Sequence, residues 1–484
     1  MTLSTTRLNT LSRTQFARAT TLALLFALPV VAGAQQLTAT ERARIDSAAV
    51  DILRRTGAPS ASVAIVRGGE VVHTGAYGAA RQQPVTPAVT GMRYSIGSVS
   101  KQFTAAAILL LAEEGKLSLD DRVSKWFPAL TRAGEISIRN LLSMTSGYQD
   151  YWPHDYVFAD MQRPAGEGEI IRRWAQKPLD FEPGTKWQYS NTNYVIAAGI
   201  VESVSGMRFI DFLGQRIFTP LRMTSVADID AGPLGTGDAQ RLLRHGVAQL
   251  REAPKEGMGW LFGAGQLAMT PRDLATWNAS MMNQTLLKPA SYRVMMTDML
   301  LANGLPTRYG LGVNVSVVNG RRRISHGGAV SGFTTTNEIY PDDKVAITVF
   351  TNIYPGAAGA SSQLAGRIAN VLFAGGPSAT ASAASSSAAE QARRIYDGLR
   401  AGRIDRSLFT SNANSYFSDE VLADYASSLG ALGTPTEFNA TGEAIRGGLT
   451  LRFYRIRAGD MVLDLTTMTQ PDGKIEQYVV ARAG

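Results

Sequence analysis

No cysteine occurs in the 484 residues of this chain, and only four histidines do. The first absence removes disulfides and thiolate ligands from any account of its stability. The second leaves no close-spaced histidine set of the kind a hydrolytic zinc needs, because His73, His154, His245 and His326 stand far apart. Gly-x-Ser-x-Gly is also missing, which argues against the nucleophile elbow of the α/β-hydrolases. Nucleic-acid motifs are absent, and no cofactor is called for. The formal charge of +8 is spread through the chain, and its densest run, Arg321-Arg322-Arg323, suits a solvated strand edge as well as an attractor of anions.

Long apolar runs are scarce as well. One extends from about Leu22 to Val31, too short for a comfortable membrane span, behind Arg7, Arg13 and Arg18 and ahead of Ala32-Gly33-Ala34. This is the order of a cleavable signal peptide, so residues 1–34 are expected to be removed and the mature enzyme to be periplasmic or secreted, with no stable membrane anchor. Cleavage would take away those three arginines and no acid, lowering the formal charge from +8 to +5.

What is present is a hydroxyl and an amine one helical turn apart. Ser98-Val99-Ser100-Lys101 opens a run containing Phe103, Ala106, Ala107, Leu110 and Leu111, which predicts a buried helix stopped near Gly115. Residues at i and i+3 share a face, so Lys101 reaches Ser98, and burial favours the neutral amine that could accept the serine proton. A four-residue pattern of this kind arises by chance about once in a chain of this length, and a cap serine beside a solvated lysine is its plain alternative. Tyr189-Ser190-Asn191 precedes a helical pattern running to about Ser205, and His326-Gly327-Gly328 ends a strand that follows an Asn319-Gly320 turn.

Ser-x-x-Lys, Tyr-x-Asn and a basic residue before a glycine pair, in this order, resemble the penicillin-recognising serine hydrolases. The branch is that of class C β-lactamases, D-alanyl-D-alanine carboxypeptidases, D-aminopeptidases and related esterases. The framing phrases Tyr94-Ser95-Ile96-Gly97, Leu141 to Gly147, Pro220-Leu221-Arg222-Met223 and Gly263-Ala264-Gly265-Gln266-Leu267 extend the resemblance from about Thr38 to Leu372. Met144 and Arg222 depart from the pattern, where the family often has histidine and glycine.

The resemblance implies Ser98 as acylated nucleophile, Lys101 as general base, Tyr189 as proton relay and Asn191 as a substrate and lysine ligand. It also implies an oxyanion hole from the N–H groups of Ser98 and Ala329, with His326, Gly327 and Gly328 lining the substrate. Histidine at 326, where β-lactamases carry lysine, leans the activity toward D-amino-acid peptides or amides. β-Lactam or broad ester hydrolysis is the alternative, and a non-catalytic sensor on the same scaffold is the rival from another class. A histidine of ordinary pKa is about one quarter protonated at pH 7, so His326 is expected to hold a substrate carboxylate with an attraction that fades between about pH 6 and 8. The aromatic cluster Tyr148, Tyr151, Trp152, Tyr156 and Phe158 suits cleft lining or core packing equally. A small molecule or peptide is the expected partner; oligomeric state is left open.

The fold expected is α/β of the α+β type, β-lactamase/transpeptidase-like, with an antiparallel sheet flanked by helices and a helical lobe over residues 35–374. The mature chain is read as opening on a hairpin, Ser62 to Val66 and Glu70 to Tyr77. A Ser/Ala-rich linker at 375–389 predicts few contacts with a small accessory α+β domain at 390–484.

Overall fold

The computed structural model describes residues 36–357, 359–373, 386–446 and 449–483. The segment read as a signal peptide and most of the linker lie outside them.

Seven antiparallel strands make the main sheet. Their order is Val85–Pro87, Glu70–Gln82, Ser60–Arg67, Val345–Thr351, Phe333–Tyr340, Arg321–Val330 and Asn314–Val318. The Gly68-Gly69 turn closes the first hairpin with φ of 63° and 81°, and Asn319-Gly320 closes the last with 51° and 76°, the left-handed pairs that two-residue hairpins need. Strand Ser60–Arg67 is buried on both faces. Ala61, Val63 and Ile65 meet one helical layer, while Ala64 and Val66 belong to the core on the other side.

That first layer corrects the expected start of the chain. An 18-residue helix, Ala39–Thr56, precedes the hairpin, begun by a Thr38–Glu41 capping box and ended by Gly57 at φ 69°. Ile45, Ala49 and Ile52 pack it onto the sheet beside Leu364 and Ile368 of helix Ala360–Leu372. On the opposite face lie helices Lys101–Glu113, Thr192–Ser205 and Pro271–Asn283, the first buried from Lys101 through Leu111. Arg321 and Arg323 pair with Asp343 and Glu338, and Arg322 donates to the Met296 carbonyl, so this run is held on an inner strand and none of it lines the cleft.

The accessory region carries a four-stranded antiparallel sheet, Glu437–Arg446, Leu449–Ala458, Met461–Thr469 and Ile475–Arg482. Helices Ser386–Arg400 and Asp419–Gly430 form a core with it through Ile395, Tyr396, Tyr425, Tyr454 and Val480. Its first strand escaped the sequence reading because a bulge between Ala440 and Gly442 breaks the two-residue alternation.

The expectation of few contacts across the linker does not hold. Asp424 accepts from Arg251 at 2.6 Å and from His245 at 3.1 Å, Tyr156 stacks on Tyr416 with centroids 4.6 Å apart, and His154 meets Glu476. Composition of a linker says nothing about the surfaces it joins.

Candidate active site

Ser98 sits in a single 3₁₀ turn, Gly97–Ser100, that runs directly into helix Lys101–Glu113. Ile96 and Val99 anchor the turn in the core, Ser100 Oγ accepts from Leu267 N at 3.2 Å, and Thr104 Oγ1 donates to the Gly263 carbonyl at 2.6 Å. Ser98 itself remains partly exposed on a cleft of about 470 Å³.

Lys101 is wholly buried, and its Nζ lies 3.0 Å from Ser98 Oγ, 2.8 Å from Asn191 Oδ1 and 2.8 Å from the Ala264 carbonyl. An ammonium has three hydrogens to donate, and here three acceptors surround it. The plain alternative of a solvated lysine is excluded by this burial. Tyr189 lines the cleft with its ring centroid 5.0 Å from Lys101 Nζ.

Asn191 begins helix Thr192–Ser205 but makes no capping bond with its side chain. Its Oδ1 holds Lys101, while its Nδ2 donates to Asp150 Oδ1 at 3.0 Å and to the Trp152 carbonyl at 3.2 Å. Both amide hydrogens are engaged within the protein, while Asn191 still lines the cleft. Its expected contact with the lysine is present. Asp150, the buried carboxylate behind it, also accepts from Asn191 N at 2.9 Å. No spacing rule marks Asp150 in the sequence, where it is one acid among aromatics. Met144 likewise does more than depart from a pattern: its Sδ accepts from Ser190 N at 3.4 Å and so supports the Tyr189–Asn191 segment.

Strand Arg321–Val330 supplies the opposite wall. Its partner Asn314–Val318 pairs only from Arg321 to Ser325, so from His326 onward that side faces the cleft. Gly328 is required by contact: a Cβ there would lie 1.9 Å from the Ile96 carbonyl oxygen and 3.3 Å from Ser98 N. At Gly97, held at φ 51°, a Cβ would come within 2.7 Å of Ala329 N. Two bare backbones thus press together and set the Ser98 and Ala329 residues side by side on the cleft wall. Gly327 has open space, its nearest contact being the Thr335 carbonyl at 3.8 Å.

His326 is buried, and its charge state differs from expectation. Nδ1 donates to the Gly327 carbonyl at 2.6 Å, leaving Nε2 to accept from Tyr309 OH at 2.9 Å. Burial, reinforced by the positive Lys101 nearby, pushes its pKa down to about 4. A neutral ring is no anchor for a carboxylate, nor a cation to acidify Tyr189. KM for carboxylate substrates is accordingly expected to show no inflection between pH 6 and 8.

The same shift makes a stability prediction. The unfolded chain binds this proton near 6.5 and the folded one only near 4, so stability is fully present above the first value and lost as pH falls toward the second. The full contribution is about 3 kcal/mol, of which about 2 kcal/mol disappears by pH 5. Urea unfolding at pH 7.5 and 5.0 should show the wild type losing that much more than His326→Asn. Equal losses would mean that the ring is protonated in the fold.

The cluster of aromatics divides. Tyr151 and Trp152 line the cleft, Tyr156 and Phe158 line a neighbouring cavity of about 320 Å³, and Tyr148 is core.

A partly exposed serine bonded to a buried lysine, beside helices packed on an antiparallel sheet, suits a serine hydrolase. The Beta-lactamase family model matches residues 38–369, and the chain belongs to that family. It is 28% identical over 311 residues to penicillin-binding protein 4* of Bacillus subtilis, covering 60% of this chain and 67% of that one. Against the D-aminopeptidase of Brucella anthropi it is 28% identical over 325 residues, covering 65% of this chain and 59% of the relative. Among solved structures, the D-amino acid amidase of Ochrobactrum anthropi SV3 complexed with L-phenylalanine amide aligns at a TM-score of 0.60 and 21% identity, over 69% of this chain and 99% of that one. The octameric penicillin-binding protein homologue of Pyrococcus abyssi aligns at 0.62 and 18% identity, over 91% and 99%. These structural likenesses establish the fold.

Proposed function

We propose that this protein hydrolyses amide, peptide or ester bonds through an acyl-Ser98 intermediate, with D-amino-acid amides or peptides as its preferred class. The observation that carries this reading is the 3.0 Å contact between Lys101 Nζ and Ser98 Oγ in a buried setting. A neutral amine has two hydrogens and one lone pair. Once the ammonium has lost the proton it directs at Ser98, its other two hydrogens still serve Asn191 Oδ1 and the Ala264 carbonyl, and the freed lone pair faces the serine hydroxyl.

In the reaction so read, the Ser98 proton passes to Lys101 Nζ as the Oγ–carbon bond forms, and the oxyanion is held by the N–H groups of Ser98 and Ala329. Tyr189 gives its proton to the leaving nitrogen as the carbon–nitrogen bond breaks and takes the one held by Lys101 in its place; water then attacks the acyl carbon, one of its protons returning to Ser98 Oγ through the same groups as the ester bond breaks. A binding protein has no use for a lysine confined in this way, which speaks against the sensor reading. The names of the curated relatives support the D-amino-acid preference. The basic and apolar N-terminal sequence supports export to the periplasm or medium, with residues 35–374 as the catalytic domain.

A turnover panel tests the substrate class: p-nitrophenyl acetate, D-alanine and L-alanine p-nitroanilides, a D-alanyl-D-alanine peptide and a chromogenic cephalosporin, each with Ser98→Ala as control. The D-anilide should exceed the L-anilide by at least about tenfold in kcat/KM. A preference for the cephalosporin would move the assignment to β-lactam hydrolysis.

A further inference from the structure

The groups that hold the Asn191 amide come from a stretch with no framework of its own. Between helix Ile138–Leu142 and the short 3₁₀ turn Ala159–Gln162 the described chain forms neither helix nor strand. Side-chain bonds shape it instead. Asp150 Oδ1 accepts from Trp152 N at 3.2 Å, and Trp152 Nε1 donates to the Tyr156 carbonyl at 3.0 Å, which folds the stretch back on itself. Its inner end offers Asp150 Oδ1 and the Trp152 carbonyl to Asn191 Nδ2. An amide is planar, so fixing its nitrogen fixes its oxygen, and Asn191 Oδ1 is the 2.8 Å partner of Lys101 Nζ.

The outer end is held by the accessory domain. His154 Nε2 meets Glu476 Oε1, and Tyr156 OH donates to the Glu476 carbonyl at 2.7 Å. Between them, the Asp155 N–H donates to Gln477 Oε1 and Gln477 Nε2 donates to Asp155 Oδ2 at 2.6 Å. Glu476 and Gln477 are buried on strand Ile475–Arg482, and the Glu476 carboxylate is braced inside its own domain by Asn412 Nδ2 at 3.1 Å and Gln470 Nε2 at 3.2 Å. From the Glu476 carbonyl, hydrogen bonds lead through Tyr156, Trp152 and Asn191 to Lys101 and Ser98.

We propose that the accessory domain sets the position of the lysine: Glu476 and Gln477 are positioning residues that act on Lys101 through the 150–156 stretch and Asn191. This role rests on the reading of Ser98 and Lys101 as the acylating pair. A continuous chain of bonds is not in itself coupling, so coupling is what must be measured.

The measurement is the pre-steady-state burst of p-nitrophenol released from p-nitrophenyl acetate by the intact protein, which separates the saturated acylation rate from substrate affinity. Gln477→Leu and Tyr156→Phe each remove bonds of the outer end. Each should slow saturated acylation by about fivefold while leaving affinity nearly unchanged, within the range that network positions carry. Asp424→Asn, which weakens the separate interdomain pairing with Arg251 and His245, should lower the urea midpoint and leave acylation unchanged. In an Asn191→Ala background, Gln477→Leu should slow acylation no further, because the route to Lys101 is already cut. Full-rate acylation in both Gln477→Leu and Tyr156→Phe overturns the proposal. Equal slowing by Asp424→Asn overturns it too, since loosening of the interface at large would then be the cause, as does a loss that adds in full to that of Asn191→Ala. Should Gln477→Leu or the Asn191→Ala pair fail to fold, Tyr156→Phe set against Asp424→Asn decides. A wild type without a burst that Ser98→Ala abolishes removes the hydrolase reading and this role with it; a normal wild-type burst with unaffected variants removes this role alone.

Discussion

Treatment with a fluorophosphonate should add one adduct per chain, on Ser98, and Ser98→Ala should take up none. The cleft holds two other serines, Ser361 and Ser362, so the claim is not empty. Their hydroxyls are engaged with Thr336 Oγ1 at 2.9 Å and with the Gly359 carbonyl at 2.9 Å. Ser98 has both Lys101 at 3.0 Å and the adjoining backbone of Gly328 and Ala329 against which an anionic phosphoryl oxygen can settle. Loss of the nucleophile should cost at least about 10⁴-fold in turnover, the scale seen when a member of a hydrolytic constellation is deleted. Intact-mass and peptide mapping give the answer directly. An adduct on Ser361 or Ser362 would displace Ser98 from its role.

Lys101→Ala should slow acylation by at least about 10²-fold, the lower range for a lost general base. This variant carries a confounding cost. It empties a buried site and leaves Asn191 Oδ1 and the Ala264 carbonyl without that donor, a defect of several kcal/mol by the usual penalties for cavities and orphaned polar groups. Lys101→Met keeps most of the volume and still supplies no base. If both variants fold by near-ultraviolet circular dichroism and both lose acylation to a similar degree, the loss belongs to the amine. A near-normal rate in Lys101→Met would assign the proton to another group.

The chemistry-bearing residues were legible because they lie in short runs whose spacing carries meaning: a helical turn for Ser98 and Lys101, a glycine pair at a strand end for Gly327 and Gly328. The strand ending in His326-Gly327-Gly328 was legible too, because the Asn319-Gly320 turn before it is a strong hairpin signal. What the sequence could not supply was charge state and partnership. Nothing in His-Gly-Gly announces that Tyr309 will cap the ring, and nothing near Asn191 announces Asp150, 41 residues earlier, as the consumer of its amide. Asp155 and Gln477 are 322 residues apart, so their meeting belongs to tertiary packing alone. Helix Ala39–Thr56 was missed for another reason: its buried face is built from small and polar-flanked positions, Ala48, Ala49 and Thr56 among them, and so reads faintly.

The strand order has a consequence for how activity arises during synthesis. Strand Ser60–Arg67 finds its neighbour at Val345–Thr351, and the wall that faces Ser98 hangs from that neighbour through Phe333–Tyr340. Such distant pairings form slowly and only after the later segment exists. A nascent chain that already displays Ser98 and Lys101 still lacks the wall carrying Gly328 and Ala329 until about Thr351 has emerged and paired. The topology therefore assembles the cleft late, from segments about 250 residues apart in the chain, so every shorter intermediate holds only one of its two walls.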